Sequence, residues 1–333
     1  MILSPAIIAL EAGAVLAAGY AAYASAMAMQ IIQGWDIASG SEQQLLLEKK
    51  TYLISTIFAW LMAYQIISLF LFSYTAENLH DLFVGAMCAA GSLNVNDYGY
   101  PTLVLKAFNC LLCGIWLIVN RTDNSVADYP LIKPKYKLLI GIAVLLLIEA
   151  IFQTTYFVQM KADVITSCCG MLFSETEETV AGGLAALPSY PTKVIFYLSV
   201  LITLRVGIHH YRTGRAALVY SLSAAWLLIL SIAAVISFIA PHFYELPGHH
   251  CPFCILQREY HYIGYPLYLA LFTGGIAGLG VGVIDRFKGS PSLHAAGPLL
   301  QKHLCLLSMI GYMLFAVISV YPMIFSDFRL EGY

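Results

Sequence analysis

Apolar runs about twenty residues long recur along this chain, separated by short polar segments. A helix of that length covers the roughly 30 Å hydrocarbon core of a bilayer, so each run predicts a membrane-spanning helix. The predicted spans are Pro5–Ile32, Thr51–Tyr74, Thr102–Val119, Tyr136–Val158, Thr192–His210, Ala216–Ala240, Tyr262–Ile284 and His303–Phe325. We therefore expect an all-α, polytopic helical bundle with about eight transmembrane helices, in which residues 1–333 form one transmembrane domain.

The composition supports a membrane protein. The chain is 60% hydrophobic and 11% charged, with a mean hydropathy of +0.77, whereas about a quarter of the residues of a soluble protein are charged. The first apolar run contains Glu11 and follows no basic segment, so we expect a retained span rather than a cleaved signal peptide. A net charge of -2 without a basic block gives no indication of nucleic-acid binding, which leaves membrane lipid as the expected surroundings.

Basic residues are concentrated in alternate connections between the spans. They are Lys49, Lys50, Arg121, Lys133, Lys135, Lys137, Arg205, Arg212, Arg215, Arg286, Lys288 and Lys302. The positive-inside rule places these connections in the cytoplasm and both termini outside it. The loops Ala76–Pro101 and Gln159–Pro191 are then extracytoplasmic. We expect a multi-pass protein of the bacterial inner (plasma) membrane.

Most of the cysteines fall on the predicted outer side. Cys88, Cys168 and Cys169 lie in the two outer loops, and Cys251 and Cys254 lie at the outer mouth of a span. An oxidising exterior favours disulfides, so this distribution indicates redox-active or bridged cysteines.

Cys110 and Cys113 form a second Cys-x-x-Cys inside the third span, one helical turn apart. Buried cysteine commonly serves as a small apolar residue. An electron relay or a soft-metal path remains the alternative for this pair.

The segment His249–Arg258 contains the pair Cys251-Pro252-Phe253-Cys254. We expect Cys251 at or just before the start of a helix, where the positive end of the helix dipole favours a thiolate, with Pro252 in the first turn. Three interpretations stay open: redox chemistry, a soft-metal site, or a structural disulfide.

The run Cys251-Pro-Phe-Cys254-Ile-Leu-Gln-Arg258 resembles the motif of the DsbB-type disulfide-bond-formation quinone reductases of bacteria. In that family a periplasmic Cys-x-x-Cys precedes an arginine at this offset and exchanges electrons with a membrane quinone. The resemblance implies that Cys251 and Cys254 are the redox pair and that Arg258 lies beside the quinone. It is confined to this segment, because that family has fewer spans in a shorter chain, with its motif near the start. The vitamin K epoxide reductases are similar to a lesser degree.

A thiol oxidase of this kind needs a second cysteine pair to pass electrons from a soluble thiol protein to the membrane pair. Cys88 with Cys168 or Cys169 is the candidate shuttle pair, and a structural loop disulfide is the alternative. Tyr262 and Tyr265 are candidates for the wall of a quinone site, although tyrosines at this depth also form the ordinary interfacial belt.

Histidines surround the Cys-x-x-Cys segment, at His242, His249, His250 and His261. Their spacing matches no zinc finger, and no histidine directly follows the motif as c-type haem attachment requires. We therefore assign no metal ligand from the sequence, although imidazole with thiolate is a ligand set for copper or zinc.

Three ionisable residues, Glu11, Lys106 and Glu149, fall within the predicted spans. Charges in hydrocarbon are costly and usually find a partner, so we expect Lys106 to meet Glu149 in a polar pocket that includes Gln153. The pocket would serve proton release or helix packing. The glycine-rich run 274–282 has the small-xxx-small spacing that lets helices approach closely.

Together these features favour an integral membrane thiol–disulfide oxidoreductase that exchanges electrons between an extracytoplasmic dithiol and a membrane quinone. One alternative is a membrane protein that binds or transports a soft metal such as copper, zinc or mercury. Another is a non-catalytic membrane subunit of an electron-transfer or maturation complex.

Overall fold

The computed structural model describes residues 3–161, 164–166, 169–174 and 179–330. Eight of its helices are long and apolar enough to cross a bilayer. They are α1 (Pro5–Gly34), α2 (Glu42–Asn78), α3 (Gly99–Asp123), α4 (Ile132–Val158), α5 (Ser189–Thr213), α6 (Ala217–Tyr244), α7 (Gly264–Asp285) and α8 (Leu293–Phe325). These helices confirm the predicted all-α polytopic bundle of a multi-pass membrane protein.

Several helices continue beyond the apolar run that identified them. α2 has 37 residues and α8 has 33. At 1.5 Å per residue their lengths are about 55 and 50 Å, well beyond the roughly 30 Å of a hydrocarbon core. The last turn of α2 therefore carries polar side chains, Glu77 among them, past the apolar part of the helix.

The described chain divides into two compact units. The first contains the chain up to Phe72, Asn96–Met160 and Val283–Gln301. In this unit α1 packs along α4, and α3 also packs on α4. Its core contains Phe58 and Trp116, whose rings meet edge to face with centroids 4.9 Å apart.

A buried polar network lies inside the first unit. Lys106 Nζ of α3 is 2.7 Å from Glu149 Oε1 of α4, and both side chains are almost completely buried. Asn109 donates to the same carboxylate at 2.6 Å, and Gln65 of α2 donates to both of its oxygens at 2.5 Å. The predicted meeting of Lys106 and Glu149 is confirmed, and the hydrogen bonds offset part of the cost of burying the pair.

Gln153 lies one turn along α4 from Glu149, and its amide binds α1. Its amide donates to Glu11 Oε1 at 2.9 Å and to the Leu10 carbonyl oxygen at 3.1 Å. Thr154 donates to the second oxygen of Glu11 at 2.6 Å. These hydrogen bonds join α1 to α4 and give the Glu11 carboxylate partners within the span.

The second unit contains Ser73–Val95, the described part of Lys161–Gly282, and the chain from Lys302 onward. Its helices approach closely at the glycines of α7. A Cβ on Gly278 would lie 2.5 Å from the Cβ of Ala224 in α6 and 2.9 Å from Ser308 Oγ in α8. The predicted packing role of this glycine run is confirmed.

The ion pair of the first unit gives a stability prediction. Replacing Lys106 by Met leaves the Glu149 carboxylate without its cation, and we expect a loss of about 3–5 kcal/mol in unfolding free energy. The double variant Lys106→Met/Glu149→Leu removes both charges and should recover most of this loss. Unfolding of the purified protein in mixed micelles, followed by circular dichroism, measures both. A Lys106→Met variant as stable as the wild type would contradict the prediction.

Candidate functional site

Three cysteine sulfurs meet in the second unit. The Sγ atoms of Cys88 and Cys251 are 3.6 Å apart, and those of Cys88, Cys251 and Cys254 all lie within 4.8 Å of one another. The exposed fractions of these residues are 0%, 0% and 5%. Since a disulfide bond is about 2.05 Å long, the 3.6 Å separation is a non-bonded contact between two sulfurs that can bond after a small movement. We call these three residues the cysteine cluster.

The segment that carries Cys88 is anchored to the connection between α4 and α5. The N–H of Thr166 donates to the Val84 carbonyl oxygen at 3.0 Å. The Thr166 hydroxyl donates to the Gly91 carbonyl oxygen, also at 3.0 Å. Gly85 lies between these contacts with φ +91°, and a Cβ there would be 2.4 Å from the Thr166 oxygen. Glycine is thus required at position 85 on both conformational and steric grounds.

The expectation that Cys251 lies at or just before the start of a helix, with Pro252 in its first turn, is wrong. The Cys-x-x-Cys segment contains a three-residue 3-10 turn, Cys254–Leu256, and a second one, Arg258–Tyr260. α7 begins only at Gly264. The dipole of α7 therefore does not act on Cys251, because it falls off within the first turn of a helix.

Tyrosine hydroxyls explain this irregular backbone. Tyr244, the last residue of α6, donates to the Cys251 carbonyl oxygen at 2.5 Å and accepts from the N–H of Ile255 at 2.9 Å. Tyr268 of α7 donates to the Pro252 carbonyl oxygen at 2.6 Å. These side chains satisfy backbone groups that a helix would pair internally, so they hold the Cys-x-x-Cys turn in place.

Two histidines support the same turn. His249 Nε2 is 3.3 Å from Cys254 Sγ, and its ring meets that of Tyr244 edge to face at 4.7 Å. His250 Nδ1 is 2.9 Å from the Ile236 carbonyl oxygen, which lies in a π-helical turn of α6, Val235–Ile239. Such turns leave carbonyl groups for side chains to bind, and here one fixes the residue that precedes Cys251.

Glu77 joins the two cysteine-bearing segments. One oxygen of its buried carboxylate accepts from the N–H of Ala89, the residue after Cys88, at 2.7 Å. The other accepts from the Gln257 amide at 2.8 Å, and the same amide donates to the Met87 carbonyl oxygen at 2.7 Å. We call this arrangement the Glu77 clamp. The sequence gives no signal for Glu77 and Gln257, because 180 positions separate these two partners. Tyr244 was also missed, since a tyrosine at the end of a span resembles the ordinary interfacial belt.

The other predicted shuttle residues lie in the connection between α4 and α5. Cys168 is outside the described residues, and Cys169 is described only as the first residue of a short helix, Cys169–Leu172. That helix contacts the short helix Ala89–Leu93 that follows Cys88. Phe173 packs on Phe253, inside the Cys-x-x-Cys pair, with ring centroids 6.2 Å apart. The backbone that carries Cys169 is thus next to both cysteine-bearing segments of the cluster.

The predicted quinone-side residues lead into α7. Arg258 and Tyr262 are exposed, and Tyr265 is half-buried with its ring centroid 6.2 Å from that of Tyr262. The Tyr265 hydroxyl is buried and has no hydrogen-bond partner among the described residues. A separate groove of about 350 Å³ opens beside this segment with aromatic walls that include Tyr260 and Tyr321, and none of the three predicted residues lines it.

The remaining cysteines lie elsewhere. Cys110 and Cys113 are buried in the first unit, where Cys113 belongs to the apolar core with Trp116. Cys305 of the second unit is buried and donates to the Gly207 carbonyl oxygen at 3.4 Å. Among the described residues, the cysteine cluster is the one set of three side chains with metal-ligand atoms in mutual reach.

The Glu77 clamp can be tested by the rate at which Cys88 and Cys251 become linked. Glu77→Gln replaces one carboxylate oxygen by an NH₂ group, which would then face a donor, either the Ala89 N–H or the Gln257 amide. Losing one hydrogen bond to a charged group costs about 1.5–3 kcal/mol, and 1.36 kcal/mol is about tenfold in rate. We expect formation of the Cys88–Cys251 disulfide under mild oxidation to slow at least about tenfold, as measured by peptide mass spectrometry. Asp81→Asn, which alters an exposed acid nearby, is the control, and equal rates in the two variants would remove the clamp from the account.

Comparison with known proteins finds no family model that matches the chain, and neither a curated protein nor a solved structure matches it. The functional conclusion therefore rests on the chemistry of the cysteine cluster.

Proposed function

We propose that this protein is an integral membrane thiol–disulfide oxidoreductase that exchanges electrons between an extracytoplasmic dithiol and a membrane quinone. The observation that carries the proposal is the 3.6 Å contact between the sulfurs of Cys88 and Cys251, with Cys254 in reach of both. Thiol–disulfide exchange needs an attacking, a central and a leaving sulfur close together. The cysteine cluster supplies three sulfurs from two distant segments of the chain.

The first step of the exchange uses only the cluster. The Cys88 thiolate attacks Sγ of Cys251 in a Cys251–Cys254 disulfide. The Cys88–Cys251 bond forms, the Cys251–Cys254 bond breaks, and Cys254 leaves as a thiolate. His249 Nε2, 3.3 Å from Cys254 Sγ, can donate a hydrogen bond to that leaving thiolate.

A second cysteine completes the cycle. Cys168 or Cys169 attacks Cys88, which releases Cys251 and leaves a disulfide between Cys88 and the attacking residue. That disulfide oxidises the partner dithiol. The Cys251 and Cys254 thiols lose two electrons and two protons and bond to each other again. The placement of the helix that begins at Cys169 beside the one that follows Cys88 supports this step.

A quinone bound beside the cluster supplies the acceptor for those two electrons and two protons. The buried hydroxyl of Tyr265, which has no hydrogen-bond partner within the described part of the chain, is suited to donate to a quinone carbonyl oxygen. Arg258 is exposed at the start of the same segment, where its charge can lie beside the ring. The resemblance of the segment Cys251–Arg258 to the disulfide-bond-formation quinone reductases favours the same placement.

The distribution of basic residues supports a location in the bacterial inner (plasma) membrane with the cluster on the outer side. The connections after α2, α4 and α6 share one side of the membrane, because the chain crosses between them in pairs. These three connections carry Cys88, Cys168, Cys169, Cys251 and Cys254. An oxidising exterior is where a thiol oxidase meets its partner protein.

Thiol trapping with mass spectrometry tests the proposed function. The reduced, purified protein receives one equivalent of a short-chain ubiquinone without oxygen, and its thiols are then alkylated. We expect one disulfide per chain as one equivalent of quinol appears, either between Cys251 and Cys254 or passed on to Cys88 and the cysteine that attacks it, and we expect Cys305 to be alkylated. Right-side-out membrane vesicles should then oxidise an added reduced dithiol peptide, and inverted vesicles should not.

Two results would contradict the proposal. In the first, the quinone stays oxidised, and the thiols of the cysteine cluster are all still free to be alkylated at the end. The other is quinol formation that persists in Cys254→Ser, which lacks the second thiol of the membrane pair. The double variant Cys110→Ser/Cys113→Ser is the matched control, since it removes the Cys-x-x-Cys of the first unit and should retain quinone reduction.

A further inference from the structure

The cysteine cluster also has the shape of a three-coordinate site for a soft metal ion. Its three sulfurs lie within 4.8 Å of one another, and Cys88 from a distant segment adds a third sulfur to the Cys251-x-x-Cys254 pair. We propose that the reduced protein binds one Cu(I) ion between Cys88, Cys251 and Cys254. This inference goes beyond the proposed exchange reaction and does not depend on it.

The size of the triangle fits a bound ion. A metal–thiolate bond of about 2.3 Å places three sulfurs around a central ion about 4.0 Å apart. The Cys88–Cys251 separation of 3.6 Å is slightly below that value, and all three separations stay under 4.8 Å. Shifts of a few tenths of an ångström therefore close the site without moving a helix.

The donor set and its surroundings select Cu(I). Soft thiolates prefer Cu(I) among the biological metals that bind sulfur, whereas zinc is almost always held by four ligands in closed sites. His249 Nε2 is close to Cys254 Sγ, and among the described residues the group of mutually close ligand atoms contains sulfurs alone. A three-sulfur site suits Cu(I) better than it suits zinc.

Metal binding changes no oxidation state in this proposal. The thiols lose their protons to solvent as three copper–sulfur bonds form, and the copper remains Cu(I). Burial makes the resulting negative charge costly, and a hydrogen bond from His249 Nε2 to Cys254 Sγ, 3.3 Å apart, offsets part of that cost. Bound copper and a disulfide within the cluster exclude each other, because both use the same sulfur atoms.

The test is a Cu(I) titration of the reduced, full-length protein in detergent without oxygen, against the coloured competitor bicinchoninate. We expect one tightly bound Cu(I) per chain, with X-ray absorption showing three sulfurs at about 2.3 Å. Cys88→Ser should show two sulfurs and an affinity lower by at least about 100-fold, since even a second-shell change costs 10–100-fold. The control Cys110→Ser/Cys113→Ser should bind as the wild type does.

Two sulfurs in the wild type, or equal affinity in Cys88→Ser and wild type, would overturn the proposal. So would loss of copper in the Cys110→Ser/Cys113→Ser control, which would place the ion in the first unit. The sulfur count in the wild type decides the question even where Cys88→Ser fails to fold. Quinone-dependent disulfide formation is measured without copper, so failure of the metal site leaves the exchange reaction untouched.

Discussion

The sulfur of Cys88 is held against that of Cys251, although 163 positions separate the two residues, and the proposed chemistry depends on this contact. Both cysteines lie in connections between helices, and ordering such connections costs conformational entropy. Additional interactions are therefore needed to hold the two sulfurs together. The Glu77 clamp provides one, and the bond between Thr166 and Gly91 provides another. Both anchors use charged or backbone groups in buried positions, where an unmade hydrogen bond is expensive.

The transmembrane helices give those anchors fixed points. α2 runs past the apolar span and ends in the turn that carries Glu77, while α6 ends in Tyr244, whose hydroxyl closes the Cys-x-x-Cys turn. The Cys-x-x-Cys turn is followed by α7, whose glycines pack closely against α6 and α8 and so fix that helix in place. Chemistry then occurs in irregular connections supported by rigid helices, a common division of roles in proteins.

Much of this architecture can be predicted from the sequence, because hydrocarbon imposes strong rules. Span number follows from apolar length, and the pairing of Lys106 with Glu149 follows from the cost of isolated charge. The start of α7 could not be predicted, since tyrosine hydroxyls of α6 and α7, and not local propensity, determine the backbone at the Cys-x-x-Cys turn. Lys135 looked like an ordinary basic flank but is buried and paired with Asp123 at 2.6 Å. Which loop cysteine meets the Cys-x-x-Cys pair also depends on long-range contacts that carry no local signal.

The most direct measurement of the central claim is disulfide trapping in the triple variant Cys168→Ser/Cys169→Ser/Cys254→Ser. Removing the leaving sulfur and both cysteines that are proposed to attack Cys88 should let Cys88 and Cys251 stay joined, because their sulfurs are already in contact. Mild oxidation of the membrane-embedded protein, followed by digestion and mass spectrometry, identifies the linked peptides. We expect a Cys88–Cys251 disulfide in most molecules. Reduced Cys88 beside a Cys251 that is linked to another residue, or not linked at all, would contradict this expectation.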